Sequence, residues 1–131
     1  MARLDECARD AGVLVVQGGI NDIAQERSID AAAENLRAMV RRGKELGPTV
    51  ALVDLLPWNN GWPDAEPKIR RLNELIAEIA RAEGVPLFAF HDTLEDPDRP
   101  GRMRAEWTSD GDHPSVDGYR RLGELAFRLP T

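Results

Sequence analysis

The chain has 131 residues, enough for one domain with a buried core. Its 17 Lys and Arg and 23 Asp and Glu residues give a net charge of −6, which argues against nucleic acid or an anionic membrane surface as a partner. The single cysteine, Cys7, excludes an internal disulfide and a thiolate metal cluster. No apolar run reaches membrane length, and the acidic start differs from a secretory signal peptide, so we expect a cytoplasmic protein.

Apolar patterning in the first half of the chain predicts two strands and two helices. A short helix over 4–11 precedes a strand at Val13–Val16, whose unbroken apolar residues favour burial on both faces. Ser28 has the residue type of a helix N-cap, and the helix behind it runs to the stop signal Gly-Pro at 47–48. The second strand is predicted over Thr49–Val53.

The second half of the chain continues the alternation. A loop rich in Trp, Asn, Gly and Pro over 57–63 leads to a helix that begins near Pro67 and ends at Gly84. The third strand is predicted over Pro86–Phe90.

A polar loop over 92–110 follows the third strand, and Ser115 caps the last predicted helix. Alternating strands and helices predict an α/β fold with three layers, a parallel sheet between two layers of helices. We expect a single domain over 1–131. In such folds, ligands bind beyond the carboxyl ends of the strands. We expect the loops that begin at Gln17, Leu56 and His91 to lie at that end, together with the segment that leads to His113.

The loop after the first strand reads Gly-Gly-Ile-Asn-Asp over residues 18–22. Its glycines permit a tight turn and a close approach of backbone to a ligand, and the Asn21 amide is able to donate a hydrogen bond into a cleft. A plain turn is the alternative, because Gly, Asn and Asp are common turn residues.

The sequence Asp-Gly-Asp-His-Pro over residues 110–114 carries a sharper signal. An acid three residues before a histidine can curl back and accept a hydrogen bond from its Nδ1–H, which leaves Nε2 as a general base. Gly111 lets the turn close, and Pro114 keeps His113 extended and outside the following helix. The alternative is a surface histidine in an acidic loop.

Two further segments fall at the same end of the predicted sheet. Residues 58–62, Trp-Asn-Asn-Gly-Trp, place two indoles in one loop, either as the wall of a substrate pocket or as packing over a helix end. We expect His91 to be an exposed loop residue and Asp92 a turn or cap residue, with a catalytic role as the weaker alternative.

Segments 18–22 and 110–114, in this order, resemble two signature blocks of the SGNH, or GDSL, hydrolase family, and Gly118-Tyr119 resembles its closing helix. The resemblance implies a flavodoxin-like fold and acyl-ester hydrolysis, with small esters as substrates and neither a metal nor an organic cofactor. It implies that Asn21 is an oxyanion-hole donor, His113 the catalytic base and Asp110 its orienting acid. Asp112 matches a variable position. We further predict that the residues contacting substrate are Gly19, Trp58 and Asn59.

The sequence departs from the family in lacking its first block, Gly-Asp-Ser, which carries the nucleophile, and the glycine of its second block. The only serines are Ser28, Ser109 and Ser115, and none follows a strand near the N-terminus. The chain therefore resembles the C-terminal part of a fuller domain that lacks its first strands, roughly 50 residues at ordinary element lengths.

Two functions remain open at this stage. One is a serine ester hydrolase whose nucleophile comes from an N-terminal segment or a partner, and the other is a catalytically inactive relative that serves as a binding or interaction domain. A nucleotide-binding role is a third and weaker hypothesis, because the sequence has no glycine-rich phosphate-binding loop. We also expect Val13–Val16 to form an exposed edge, through which the chain self-associates or takes up an N-terminal segment.

Overall fold

The computed structural model describes residues 2–129 of the chain. Two of its helices are long, and the others span ten residues or fewer. The helices are α1 Ala2–Ala8, α2 Ile20–Ala24, α3 Ile29–Leu46, α4 Glu66–Glu83, α5 Phe90–Leu94 and α6 Val116–Leu125. The strands are β1 Val13–Val16, β2 Thr49–Val53, β3 Leu87–Phe88, β4 Glu95–Asp96 and β5 Arg99–Met103. Short 3-10 turns lie at Asn59–Gly61 and Ala105–Trp107.

The central sheet is parallel and has the strand order β1-β2-β3. Along the β1–β2 pair, Val13 lies opposite Thr49 and Val16 opposite Leu52. β4 and β5 form a separate antiparallel hairpin. Strand β1 therefore lies at an edge of the described sheet, and the loops that follow β1, β2 and β3 come together at one end of it.

Helices cover both faces of the sheet and enclose two apolar clusters, as the alternating pattern predicts. Helices α1, α3 and α4 pack over one face, and α5 and α6 over the other. Gly43 in the last turn of α3 allows close packing, because a Cβ there would lie 2.7 Å from Leu14 Cδ2. Ser28 caps α3 by accepting a hydrogen bond from the Ala31 amide, which confirms the predicted start of this helix.

Strand β1 differs from the sequence prediction of burial on both faces. Leu14 and Val16 are buried, whereas Val13 and Val15 are each 41% exposed. Val15 lies opposite Ala51 of β2, which is fully buried in the cluster beneath α5 and α6. The two described helices of that layer thus cover β2 and leave the same face of β1 open.

The third strand is also shorter than predicted, since it ends at Phe88 and Phe90 already begins α5. The polar segment predicted as a loop over 92–110 contains the end of α5, the hairpin of β4 and β5 and a 3-10 turn. Helix α2, five residues long, has no periodic apolar pattern of its own and was not predicted. Between residues 2 and 129, no helix combines the length and apolarity that a membrane crossing requires.

The alternation along β1 predicts unequal effects of two neighbouring substitutions. Leu14→Ala should lower the free energy of unfolding by about 2–5 kcal/mol, because it leaves a cavity beneath α3. Val15→Ala should cost about 1 kcal/mol or less, because that side chain is partly in solvent. Urea unfolding at low protein concentration measures both values, and equal losses would mean that something covers Val15.

Candidate active site

The segment that carries His113 is a compact loop closed at its base. A β-bridge joins Thr108 to Pro114, and the Thr108 hydroxyl donates to the His113 carbonyl oxygen at 2.7 Å. The same hydroxyl accepts from the Gly111 amide at 2.9 Å. Gly111 has a φ of 85°, a left-handed conformation that glycine adopts without strain, so it closes the turn as the sequence predicts.

The carboxylate of Asp110 organises the inside of this loop. Its Oδ1 accepts hydrogen bonds from the amides of Asp112 and His113, both at 2.8 Å. Its Oδ2 lies 3.0 Å from His113 Nδ1. This arrangement favours the tautomer with the proton on Nδ1, and it leaves Nε2 with a lone pair that can take a proton.

The contact shifts the pKa values of both partners. Hydrogen bonding to His113 lowers the pKa of Asp110 to about 2, and the Asp110 carboxylate raises the pKa of His113 above its usual value. The carboxylate contributes stability that is lost as the pH falls towards 2, and the imidazolium contributes stability that is lost as the pH rises through its raised pKa. The pair therefore stabilises the loop most between about pH 4 and 6.5.

A cavity of about 540 Å³ lies at the carboxyl end of the sheet and brings the two sequence motifs together. Asn21 and His113 both line it, and Asp110 lies behind His113, in contact with its Nδ1. Gly19 and Trp58 also contribute to its lining. The apolar part of the wall includes the side chains of Leu55, Leu56, Phe90 and Leu122.

Gly19 and Asn21 lie at the start of α2, directly after β1. Gly19 precedes the helix with a φ of 113°, and a Cβ there would lie 2.6 Å from Leu72 Cδ2. Only glycine fits this turn without moving Leu72 or straining the backbone. The turn places Asn21 in the first turn of α2, exposed and at the cavity.

The loop between β2 and α4 supplies Trp58 to the cavity wall but uses Asn59 differently. The Asn59 amide donates to the Met103 carbonyl at 3.1 Å and accepts from the Met103 amide at 2.7 Å. This pair ties the loop to β5, and Asn59 is not among the residues that line the cavity, so its contact with substrate stays a prediction. The indole N–H of Trp58 donates to Asp112 at 2.6 Å.

His91 is buried in α5, so the expectation of an exposed loop residue was wrong. Its amide donates to Asp54 Oδ1 at 2.9 Å, and burial raises the pKa of Asp54 to about 6 and lowers that of His91. The burial of His91 could not be predicted, because α5 is only five residues long and has no periodic apolar pattern in the sequence.

Two side-chain groups have the residue types of metal ligands. Ligand atoms of His91, Asp92 and Glu95 lie within 4.8 Å of one another, as do those of the 110–113 loop. In the first group, Glu95 Oε2 already accepts from Arg70 at 3.2 Å. In the second group, the histidine Nδ1 is engaged by Asp110. Existing partners thus occupy a ligand atom in each group.

Comparison with models of protein families shows the family of this chain. Residues 2–121 match the model of the GDSL-like lipase/acylhydrolase family. The chain belongs to this family. Among curated proteins, no sequence matches this chain.

Solved structures of GDSL-family proteins share the fold. A GDSL-like lipase from Bacteroides thetaiotaomicron VPI-5482 has 26% identity and a TM-score of 0.76, over 87% of this chain and 59% of that one. A lipolytic G-D-S-L family protein from Veillonella parvula DSM 2008 has 18% identity and a TM-score of 0.79, over 95% and 68% of the two chains. The present chain thus spans 59% of the length of the B. thetaiotaomicron lipase.

The same fold occurs in the OSK domain of Drosophila Oskar, with 17% identity and a TM-score of 0.71 over 86% of this chain and 59% of that domain. These likenesses confirm the predicted α/β class, and the family match over residues 2–121 confirms the predicted family.

The two histidines of this GDSL-family chain should titrate on opposite sides of their usual pKa near 6.5. His113 should titrate above that value because Asp110 stabilises the imidazolium, and His91 below it because burial disfavours the charge. NMR of the ring C–H resonances across pH measures both. Asp110→Asn should bring the pKa of His113 down and leave that of His91 in place, and an unchanged His113 would contradict the assigned pair.

Proposed function

We propose that this chain forms the histidine–aspartate half of a serine ester hydrolase that acts on small acyl esters. The observation that carries the proposal is the 3.0 Å contact between Asp110 Oδ2 and His113 Nδ1 at a cavity that Asn21 also lines. An imidazole oriented in this way accepts the proton of an attacking serine and later returns it to the leaving group.

The proposed roles follow from the chemistry of each side chain. Asn21 donates its amide N–H to the oxyanion that forms on the ester carbonyl. Trp58 and the apolar wall of the cavity contact the acyl or alcohol part of the ester. The reaction proceeds through an acyl-serine, which water then hydrolyses with His113 as the base. It uses no metal and no organic cofactor.

In this proposal the nucleophilic serine belongs to a segment other than residues 2–129. Ser28 and Ser115 act as helix caps, at the starts of α3 and α6, and Ser109 is exposed in the 108–114 loop. We propose that a segment carrying Gly-Asp-Ser pairs in parallel with the free edge of β1. Such a strand would end beside residues 17–21, which line the cavity.

The same edge supports a second mode of association, because Val13 and Val15 expose apolar side chains beside unpaired backbone groups. Without a complementing segment, we propose that two copies of the chain pair through β1.

A catalytically inactive binding domain is the second candidate function, and what favours it is the engagement of Ser28 and Ser115 as caps. A cytoplasmic location stays a prediction.

Complementation tests the proposed activity. A family-derived segment carrying Gly-Asp-Ser, fused ahead of this chain or added to it, should produce hydrolysis of nitrophenyl acetate that the chain alone lacks. His113→Ala should then lower kcat by a factor on the order of 10⁶, because members of a triad act as a unit. Asn21→Ala should lower it by about 10²–10³, the usual effect of one lost oxyanion donor.

Two serine variants serve as matched controls in the same assay. Ser109→Ala and Ser115→Ala should keep the activity, since the nucleophile lies on the added segment, whose own Ser→Ala variant should be inactive. A folded but inert complex would favour the inactive binding domain. Fast, saturable hydrolysis by the chain alone that survives His113→Ala would refute the assigned site.

A further inference from the structure

Asp112, which lies between the two residues of the proposed dyad, is held by a different loop. Its Oδ1 accepts from Trp58 Nε1 at 2.6 Å and from Asn60 Nδ2 at 2.7 Å. The Asn60 amide also donates to the Asp110 carbonyl at 2.9 Å, and the Asn59 backbone amide donates to the Gly111 carbonyl at 3.0 Å. Four hydrogen bonds therefore join the β2–α4 loop to residues 110–112.

The packing at this junction is close as well as polar. A Cβ on Gly111 would lie 2.9 Å from both Nδ2 and Oδ1 of Asn60, so the Asn60 side chain rests directly on the glycine. A Cβ on Gly61 would lie 2.3 Å from the Trp58 ring, so that ring folds over its own turn. The indole and the amide thus have fixed places from which to reach one carboxylate oxygen.

The two carboxylates of the loop have separate tasks. Asp110 makes its side-chain bonds within the loop, to the amides of residues 112 and 113 and to the His113 ring, so it sets the orientation of the ring relative to its own backbone. Asp112 bonds outside the loop, to side chains of the β2–α4 loop. Since Trp58 lines the cavity, this second set of bonds relates the loop to the cavity wall.

We propose that Asp112, Trp58 and Asn60 form a clamp that positions the Asp110–His113 pair over the cavity, and that Asp112 is a positioning residue of the hydrolase. This inference rests on the proposed function for its catalytic consequence. The clamp makes the placement of His113 depend on the same indole that lines the proposed ester site. A charge on Asp112 strengthens both bonds that it accepts.

Amide hydrogen exchange in this chain tests the clamp without any need for activity. Asp112→Ala should speed exchange at residues 111–113 about tenfold, because two of the four hydrogen bonds that join the loop to its neighbour are lost. Asp112→Asn should stay within about threefold of the wild type, because an amide oxygen still accepts from both donors. Trp58→Phe should also speed exchange, and the matched change Trp62→Phe in the same loop should not.

The complemented enzyme provides the second readout. Asp112→Ala should lower kcat about 10²-fold with little change in KM, the effect of a misplaced catalytic group, and Asp112→Asn should restore most of the rate. The pKa of His113 should stay above its usual value in both variants, because Asp110 is the main cause of the rise, and the loss of the Asp112 charge should lower it only slightly.

The outcomes separate this inference from the proposed function. Unchanged exchange in Asp112→Ala overturns the clamp, whatever the activity. An active complex in which Asp112→Ala keeps the wild-type kcat overturns the positioning role. A folded wild-type complex without esterase activity overturns the proposed function and the catalytic consequence together, and faster exchange in Asp112→Ala then still supports the clamp as a contact between loops.

Discussion

One carboxylate, that of Asp110, organises the loop on which the proposed chemistry depends. Its two oxygens accept from two backbone amides and contact one imidazole nitrogen, all within a turn of four residues. The same group therefore fixes the course of the backbone and the direction of the ring. Because the contact is exposed, its strength lies in this convergence of bonds on a charged acceptor more than in burial.

The rest of the site depends on where the sheet delivers its loops. The loop after β1 contains Gly19 and Asn21, and the loop after β2 contains Trp58. Because the strands are parallel, these residues come to the cavity that His113 also lines. The free edge of β1 lies next to this end of the sheet. A strand added there would bring its own carboxyl end to the cavity, which is the position that the proposed serine nucleophile requires.

The sequence predicted the parallel sheet, the long helices and the contact between Asp110 and His113, because each follows from local patterning or a three-residue spacing. It did not predict the alternation of exposed and buried side chains along β1, with Val15 exposed, or the burial of His91. Both features depend on which helices pack over which strand. A run of apolar residues does not indicate which of its faces a helix covers. The bond between Trp58 and Asp112 was also missed, since it joins residues 54 positions apart.

The tautomer of His113 tests the central claim most directly. Nitrogen-15 NMR of the imidazole, recorded above the pKa of His113, distinguishes a proton on Nδ1 from a proton on Nε2. We predict a proton on Nδ1 in this chain, because Asp110 Oδ2 accepts from that nitrogen, and loss of the preference in Asp110→Ala. A proton on Nε2 in the wild-type chain would contradict the account, because that nitrogen would then be unable to act as the base.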